Sequence, residues 1–86
     1  MTIKPLRNDL DKYLKRHNLV KKYQKAKELF EYDPFYPSLN TELLKPKERL
    51  IYSFRLDRKY RAIFIYIDTD TIEIIAFQII IDSLDI

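Results

Sequence analysis

Residues 50–67, LIYSFRLDRKYRAIFIYI, alternate in character with a period of two. In the first half Tyr52, Phe54 and Leu56 alternate with Ile51, Ser53 and Arg55. In the second half Tyr60, Ala62, Phe64 and Tyr66 alternate with Arg61, Ile63, Ile65 and Ile67. Such alternation, rich in aromatic and β-branched residues, reads as two β-strands folded back on each other. A loop of Asp57, Arg58 and Lys59 sets Leu56 opposite Tyr60 and Arg55 opposite Arg61. That register gathers Tyr52, Phe54, Leu56, Tyr60, Phe64 and Tyr66 on one face and both arginines on the other, because directly opposed residues share a face. A slip of one residue would split the arginines. The chain has no glycine for the left-handed position that such loops often contain, yet the facing pattern still selects this loop.

Two arginines set side by side repel each other, so the face that carries them must meet solvent or an anion. Two readings stand open. One is a solvated cationic surface that discourages strand-to-strand aggregation. The other is a phosphate clamp, since guanidinium groups engage phosphate oxygens through paired donors.

The 86-residue length sets one domain, residues 1–86, with one small core. There is no cysteine, so neither a disulfide nor a cysteine-based metal site is available. The expected compartment is the cytoplasm: no signal-peptide pattern opens the sequence and no apolar run is long enough to span a bilayer. All 16 basic residues and 8 of the 13 acidic ones lie in residues 1–61, whereas residues 62–86 hold five acidic residues and no basic one. A basic body of this kind favours a polyanion or an acidic protein partner. The lack of glycine excludes a P-loop and a GxGxxG dinucleotide turn, and no cofactor is expected.

Upstream of the hairpin, residues 2–5 are expected to give a short edge strand closed by Pro5. Asn8 is expected to cap a first helix, with Asp11 completing a capping box, and Leu6, Leu10, Tyr13 and Leu14 form its apolar stripe. Asn18 is expected to cap a second helix on which Leu19, Tyr23, Ala26 and Phe30 face inward, ending at Asp33-Pro34. Lys21, Lys22, Lys25 and Lys27 lie on the other side of that helix and read first as a solvated face. His17, the only histidine, reads as a surface residue. The loop of residues 33–40 is expected to pack Phe35 and Tyr36 against the sheet. Downstream, Asp68-Thr69-Asp70 is a turn and not a calcium loop, because the sixth position is Glu73 and the twelfth Ile79. A last strand over residues 71 to about 81 is apolar on both faces and is expected to be central or covered on both sides. Its run of residues 77–81 is expected to be adhesive where it lacks a partner.

The expected architecture is α+β, with two N-terminal helices packed on a small, mainly antiparallel sheet. In that order of elements, the segments Pro37-Ser38-Leu39-Asn40, Glu42-Leu43-Leu44, Tyr52-Ser53-Phe54-Arg55-Leu56, Tyr60-Arg61-Ala62-Ile63-Phe64 and Thr71-Ile72-Glu73-Ile74-Ile75-Ala76 resemble the RelE/ParE superfamily, the toxins of type II toxin–antitoxin pairs. The resemblance implies a RelE-like fold and an mRNA endoribonuclease working in the ribosomal A site, in which a ribose 2′-hydroxyl attacks the adjacent phosphodiester without a metal or other cofactor. It implies that Arg61 stabilises the charge of the transition state, that Arg55 holds the scissile phosphate, and that Glu42 is a candidate general base. Lys45, Lys47, Arg49, Arg58 and Lys59 would contact RNA, with Lys45 also near enough in sequence to Glu42 to be a second candidate base. A cognate antitoxin is the implied protein partner, through an amphipathic, acid-rich segment.

One departure cuts against full activity. RNA-cleaving members usually carry a basic and aromatic ending whose histidine or tyrosine acts as general acid or stacks on a base. Residues 67–86 contain no histidine, tyrosine, lysine or arginine, and Asp82 and Asp85 would repel phosphate. Loss of acid–base help costs a factor of about 10² to 10⁴ in rate. Alternatives are therefore a binding-only relative that still holds its antitoxin, a ParE-type inhibitor of a topoisomerase, or an unrelated small structural domain.

Overall fold

The computed structural model describes residues 1–80. Their elements are β1 (Thr2–Ile3), α1 (Asn8–Arg16), α2 (Val20–Tyr32), β2 (Glu42–Leu43), β3 (Tyr52–Arg55), β4 (Tyr60–Tyr66) and β5 (Thr71–Ile79). The sheet runs in the order β1-β5-β4-β3-β2, with β1 parallel to β5 and every other pair antiparallel. This is the expected α+β architecture. The expected end of the last strand at Ile81, together with Asp82 and Asp85, lies outside the described residues. No helix among the described residues is long and apolar enough to cross a membrane.

The hairpin register is the one its facing pattern requires: Tyr52 opposes Phe64, Phe54 opposes Ala62, and Arg55 opposes Arg61. Its loop closes without a left-handed residue. The Asp57 carboxylate accepts hydrogen bonds from the amides of Lys59 at 2.8 Å and Tyr60 at 2.7 Å, so an acidic side chain supplies the turn that glycine would otherwise allow.

Left-handed backbone falls instead at Asn18, Asn40 and Leu50. Asn18 corrects one expectation. It does not cap α2, whose cap position is Leu19; it terminates α1. The Asn18 amide donates to the Lys15 carbonyl and the Leu19 amide to the Leu14 carbonyl. This closes the helix in a Schellman motif with asparagine in the place usually held by glycine. Two helices joined so tightly need one left-handed residue, and asparagine accepts that conformation at little cost. Asn8 likewise is not a cap. Arg7 holds the cap position without a side-chain cap bond, and Asp11 pairs with Lys15 one turn on, at 2.9 Å.

Both helices bury their apolar stripes on one face of the sheet. Leu10, Leu14, Leu19, Tyr23, Ala26 and Phe30 meet Phe54, Phe64, Ile72, Ile74 and Phe77 in a single cluster, with Tyr13 and Leu6 packed partly buried against it. At its centre Phe30 stacks on Phe54 with ring centroids 4.9 Å apart and meets Phe64 edge-on at 5.2 Å. Phe35 and Tyr36, expected to pack on the sheet, are exposed. The anchor of that loop is Leu39, which is fully buried at the end of a short 3₁₀ turn, Pro37–Leu39.

Two features of the sheet were not read from the sequence. The first is β2, a two-residue strand that pairs Glu42 with Ser53 and Leu43 with Tyr52. The second is a bulge in β5. Phe64 opposes Ile74 but Ile63 opposes Ala76, which leaves Ile75 as the extra residue. A bulge shifts the alternation by one position. Ile72 and Ile74 face the core before it, and Phe77 faces the core after it. The run that reads as apolar on both faces therefore combines two phases of one inward-facing pattern. It is not a strand buried on both sides: β5 has a strand on each side, but Glu73, Ile75 and Ala76 are only half-buried. The Arg7 guanidinium donates to the carbonyl of Ile75, the extra residue of the bulge, at 3.4 Å.

Candidate functional site

On the sheet face away from the helices, Arg55, Arg61 and Gln78 form one row across β3, β4 and β5. The bulge is what sets Gln78 there; an unbroken alternation would have carried Phe77 into that row. Gln78 fixes Arg61 from one side, its Oε1 accepting from Nε at 3.1 Å and from Nη2 at 2.8 Å. From the other side Glu42 Oε1 approaches Arg61 Nη1 to 3.7 Å. That ion pair is too long for a direct hydrogen bond, and the Glu42 side chain is 61% exposed. Glu42 reaches Arg61 diagonally, over the small Ser53 that it opposes on β3. Arg61 is thus held on one flank and loosely countered on the other, a geometry that can exchange a carboxylate for an incoming anion.

Arg55 is placed differently. β2 pairs only with Tyr52 and Ser53, so no strand borders the outer edge of β3 at Arg55. There Arg55 lines a groove of about 450 Å³ between α2, the Pro37–Leu39 turn and the hairpin tip. Lys22, Lys25, Asp57 and Arg58 line the same groove. Lys22 donates to the Asp57 carboxylate at 2.8 Å across it. Burial pushes the Asp57 carboxyl up, but Lys22 and the Tyr60 and Lys59 amides outweigh that effect and hold it below its ordinary value. Arg55 makes no ion pair among the described residues. The two arginines are therefore neighbours in the ladder, with Arg61 serving the open face and Arg55 standing where that face meets the groove.

The remaining expected RNA contacts divide into two groups. Arg58 and Lys59 sit at the hairpin tip next to the row, and Lys59 lies 5.4 Å from the centre of the Tyr60 ring. Lys45, Lys47 and Arg49 are exposed on the β2–β3 connection, at the end of the hairpin remote from its tip. His17 is exposed, with its ring 4.2 Å from that of Tyr13, and it takes no part in the row. Asp68 accepts from the Asp70 amide at 2.8 Å, as a turn residue does. No group of side chains among the described residues is arranged to hold a metal ion.

Two comparisons are empty: no family model and no curated protein matches the chain. Solved structures do match. The chain is similar to a YoeB/ParE toxin from Agrobacterium tumefaciens, with a TM-score of 0.67 over 93% of this chain and 96% of that one, at 17% identity. The fold is that of the YoeB/ParE toxins. The YoeB–YefM complex from Staphylococcus aureus matches with a TM-score of 0.66 over 90% of this chain and 91% of the other, at 22% identity. A heterotetrameric YoeB–YefM toxin–antitoxin complex from the same organism matches with a TM-score of 0.64 at the same coverage and identity. Within the YoeB/ParE fold, the residue that sequence reasoning missed is Gln78. The signal for it was the spacing of Ile72, Ile74 and Phe77, which fits one buried face only if the strand is bulged.

Proposed function

We propose that the chain is the toxin of a toxin–antitoxin pair and that it cleaves mRNA by the metal-independent route its resemblance to the RelE/ParE superfamily implies. The observation that carries the reading is the row Arg55–Arg61–Gln78 on an open sheet face. A phosphodiester arriving at Arg61 replaces Glu42 as its counter-ion, while Gln78 keeps the guanidinium in place. Glu42, freed beside the phosphate, accepts the proton of the ribose 2′-hydroxyl as that oxygen attacks phosphorus. The bond to the 5′-oxygen then breaks, the product being a 2′,3′-cyclic phosphate, with solvent protonating the leaving oxygen. Arg61 stabilises the extra negative charge of the phosphorane-like state, and Arg55 holds the strand beside it. The action is cytoplasmic, on translating mRNA, and the partner is an antitoxin, a reading supported by the toxin–antitoxin complexes among the similar structures.

Induction of this chain in cells beside an Arg61→Ala variant, with mapping of mRNA 5′ ends, tests the proposal. Growth arrest with cuts inside translated codons, lost in the variant, is the expected result. A second reading is favoured by one observation: residues 67–86 supply no histidine, tyrosine, lysine or arginine as a general acid. On that reading the protein acts by binding alone. Arrest without cuts would then point to a ParE-type target, and healthy growth with intact mRNA to an inactive relative.

A further inference from the structure

A second cleft, of about 440 Å³, lies between the β1–α1 link and the two helices. It is on the helix side of the sheet, whereas the row of Arg55, Arg61 and Gln78 is on the opposite face. Its size falls within the range of about 300–1,000 Å³ that small-molecule sites occupy. Ile3, Pro5 and Leu6 line it with apolar surface, and Lys4, Lys27 and Tyr23 line it with donors. Tyr23 is 6% exposed, and its hydroxyl has no hydrogen-bond partner among the described residues. No side-chain polar atom among those residues is both sealed from solvent and unpartnered, so this hydroxyl is open to the cleft. Burial and the charge of Glu31 keep it protonated, which makes it a donor. A donor held in a buried setting without an acceptor costs free energy that a bound acceptor recovers. Lys4 and Lys27 make no ion pair among the described residues. The two nearby carboxylates are already engaged: Asp11 pairs with Lys15 at 2.9 Å, and Glu31 accepts from the Ile3 amide at 3.3 Å.

We infer that this cleft binds a small organic acid, its carboxylate taken by Tyr23, Lys4 and Lys27 and its short aliphatic body lying on Ile3, Pro5 and Leu6. Inorganic phosphate would meet the donors but leave the aliphatic lining unused. A neutral ligand would leave both ammonium groups unanswered. Because the cleft joins the β1–α1 link to α2, occupancy also stabilises the folded chain by mass action.

The test is an NMR titration of the full chain, labelled with 15N and 13C methyl groups. The probes are isovalerate, its neutral counterpart isovaleramide, and inorganic phosphate. Isovalerate is expected to shift the methyl signals of Ile3 and Leu6 and the amide of Lys27 with low-millimolar affinity, the ordinary strength for so few atoms. Isovaleramide is expected to bind about tenfold more weakly, as is isovalerate to Tyr23→Phe and to Lys27→Gln, since each change removes a hydrogen bond to a charged group. Lys12→Gln, on α1 outside the cleft, is expected to leave binding unchanged. The inference is overturned by no response of Ile3, Leu6 and Lys27 to isovalerate, by equal binding of the acid and its amide, or by phosphate binding as tightly as the acid. Undiminished binding in Tyr23→Phe, with far-UV circular dichroism confirming that the variant is folded, overturns it as well.

Discussion

Phe30 and Phe35 allow one substitution to be compared in two environments on the same chain. Phe30 is 0% exposed and touches both Phe54 and Phe64, whereas Phe35 is 66% exposed. Phe30→Ala removes a buried ring and leaves a cavity, at a cost of about 3–5 kcal/mol. Its stacked and edge-on partners put the expected value near the upper half of that range, since each aromatic pair adds about 0.5–1.5 kcal/mol beyond area. A chain of 86 residues has a total stability of only about 4–13 kcal/mol at roughly 0.05–0.15 kcal/mol per residue. The loss is therefore comparable with the whole stability at the lower end. Urea unfolding followed by far-UV circular dichroism reads it: with a slope of about 1–1.5 kcal/mol per molar, the midpoint falls by about 3 M or the variant is unfolded in buffer. Phe35→Ala should change stability by less than about 0.5 kcal/mol. If the two variants lose equal stability, or Phe30→Ala costs under about 1.5 kcal/mol, the packing of α2 on β3 and β4 described above is wrong.

Three further outcomes follow from particular contacts. Gln78→Ala frees the Arg61 guanidinium; the Arg61 Nε–H resonance should exchange faster with solvent, and cutting in cells should fall by about tenfold to a hundredfold, the worth of a charged hydrogen bond at about 1.5–3 kcal/mol, against complete loss in Arg61→Ala. Asp57→Asn keeps the turn acceptor but removes the charge paired with Lys22, at a cost of about 0.5–1 kcal/mol for a partly exposed pair. Because the folded Asp57 value lies below the ordinary 3.8, that difference should be full at neutral pH and should close as the pH falls below 3.8, as read from urea midpoints at several pH values. Tyr23 is pushed up to about 12, first by burial and then by the charge of Glu31; its contribution to stability is complete below the ordinary value of 10 and is lost as the pH rises from there through 12. Absorbance titration at 295 nm should show a late component that Tyr23→Phe removes.

The sequence disclosed the hairpin and its register because a single face pattern constrained both strands at once, and Arg55 and Arg61 came with it. It disclosed the buried stripe of α2 for the same reason: Leu19, Tyr23, Ala26 and Phe30 hold one helical phase. One element too short to have a phase stayed hidden. β2 spans two residues, and nothing in Glu42-Leu43 alone marks a strand. Asn8 and Asn18 have the residue type of helix caps, but the same side chain also suits the left-handed position, and the short link between α1 and α2 required the latter use of Asn18. Gln78 was masked by a change of phase within β5, where a reading that assumed strict alternation took an inward pattern for burial on both sides. The groove could not be read at all, because it joins α2, the Pro37–Leu39 turn and the hairpin tip, three segments far apart in sequence.

The parallel pairing of β1 with β5 joins Thr2 to Thr71, nearly the two ends of the described chain. During synthesis β1 is made first and has no strand to pair with until β5 has been added. The α1–α2 pair and the β3–β4 hairpin rest on local contacts and can form early, whereas closing the sheet by its first strand is the most non-local event in the fold and the one expected to come last. Gln78 arrives with the same late strand. A nascent chain that has already formed its hairpin thus displays Arg61 without the side chain that orients it, and the row is completed only when β5 enters the sheet.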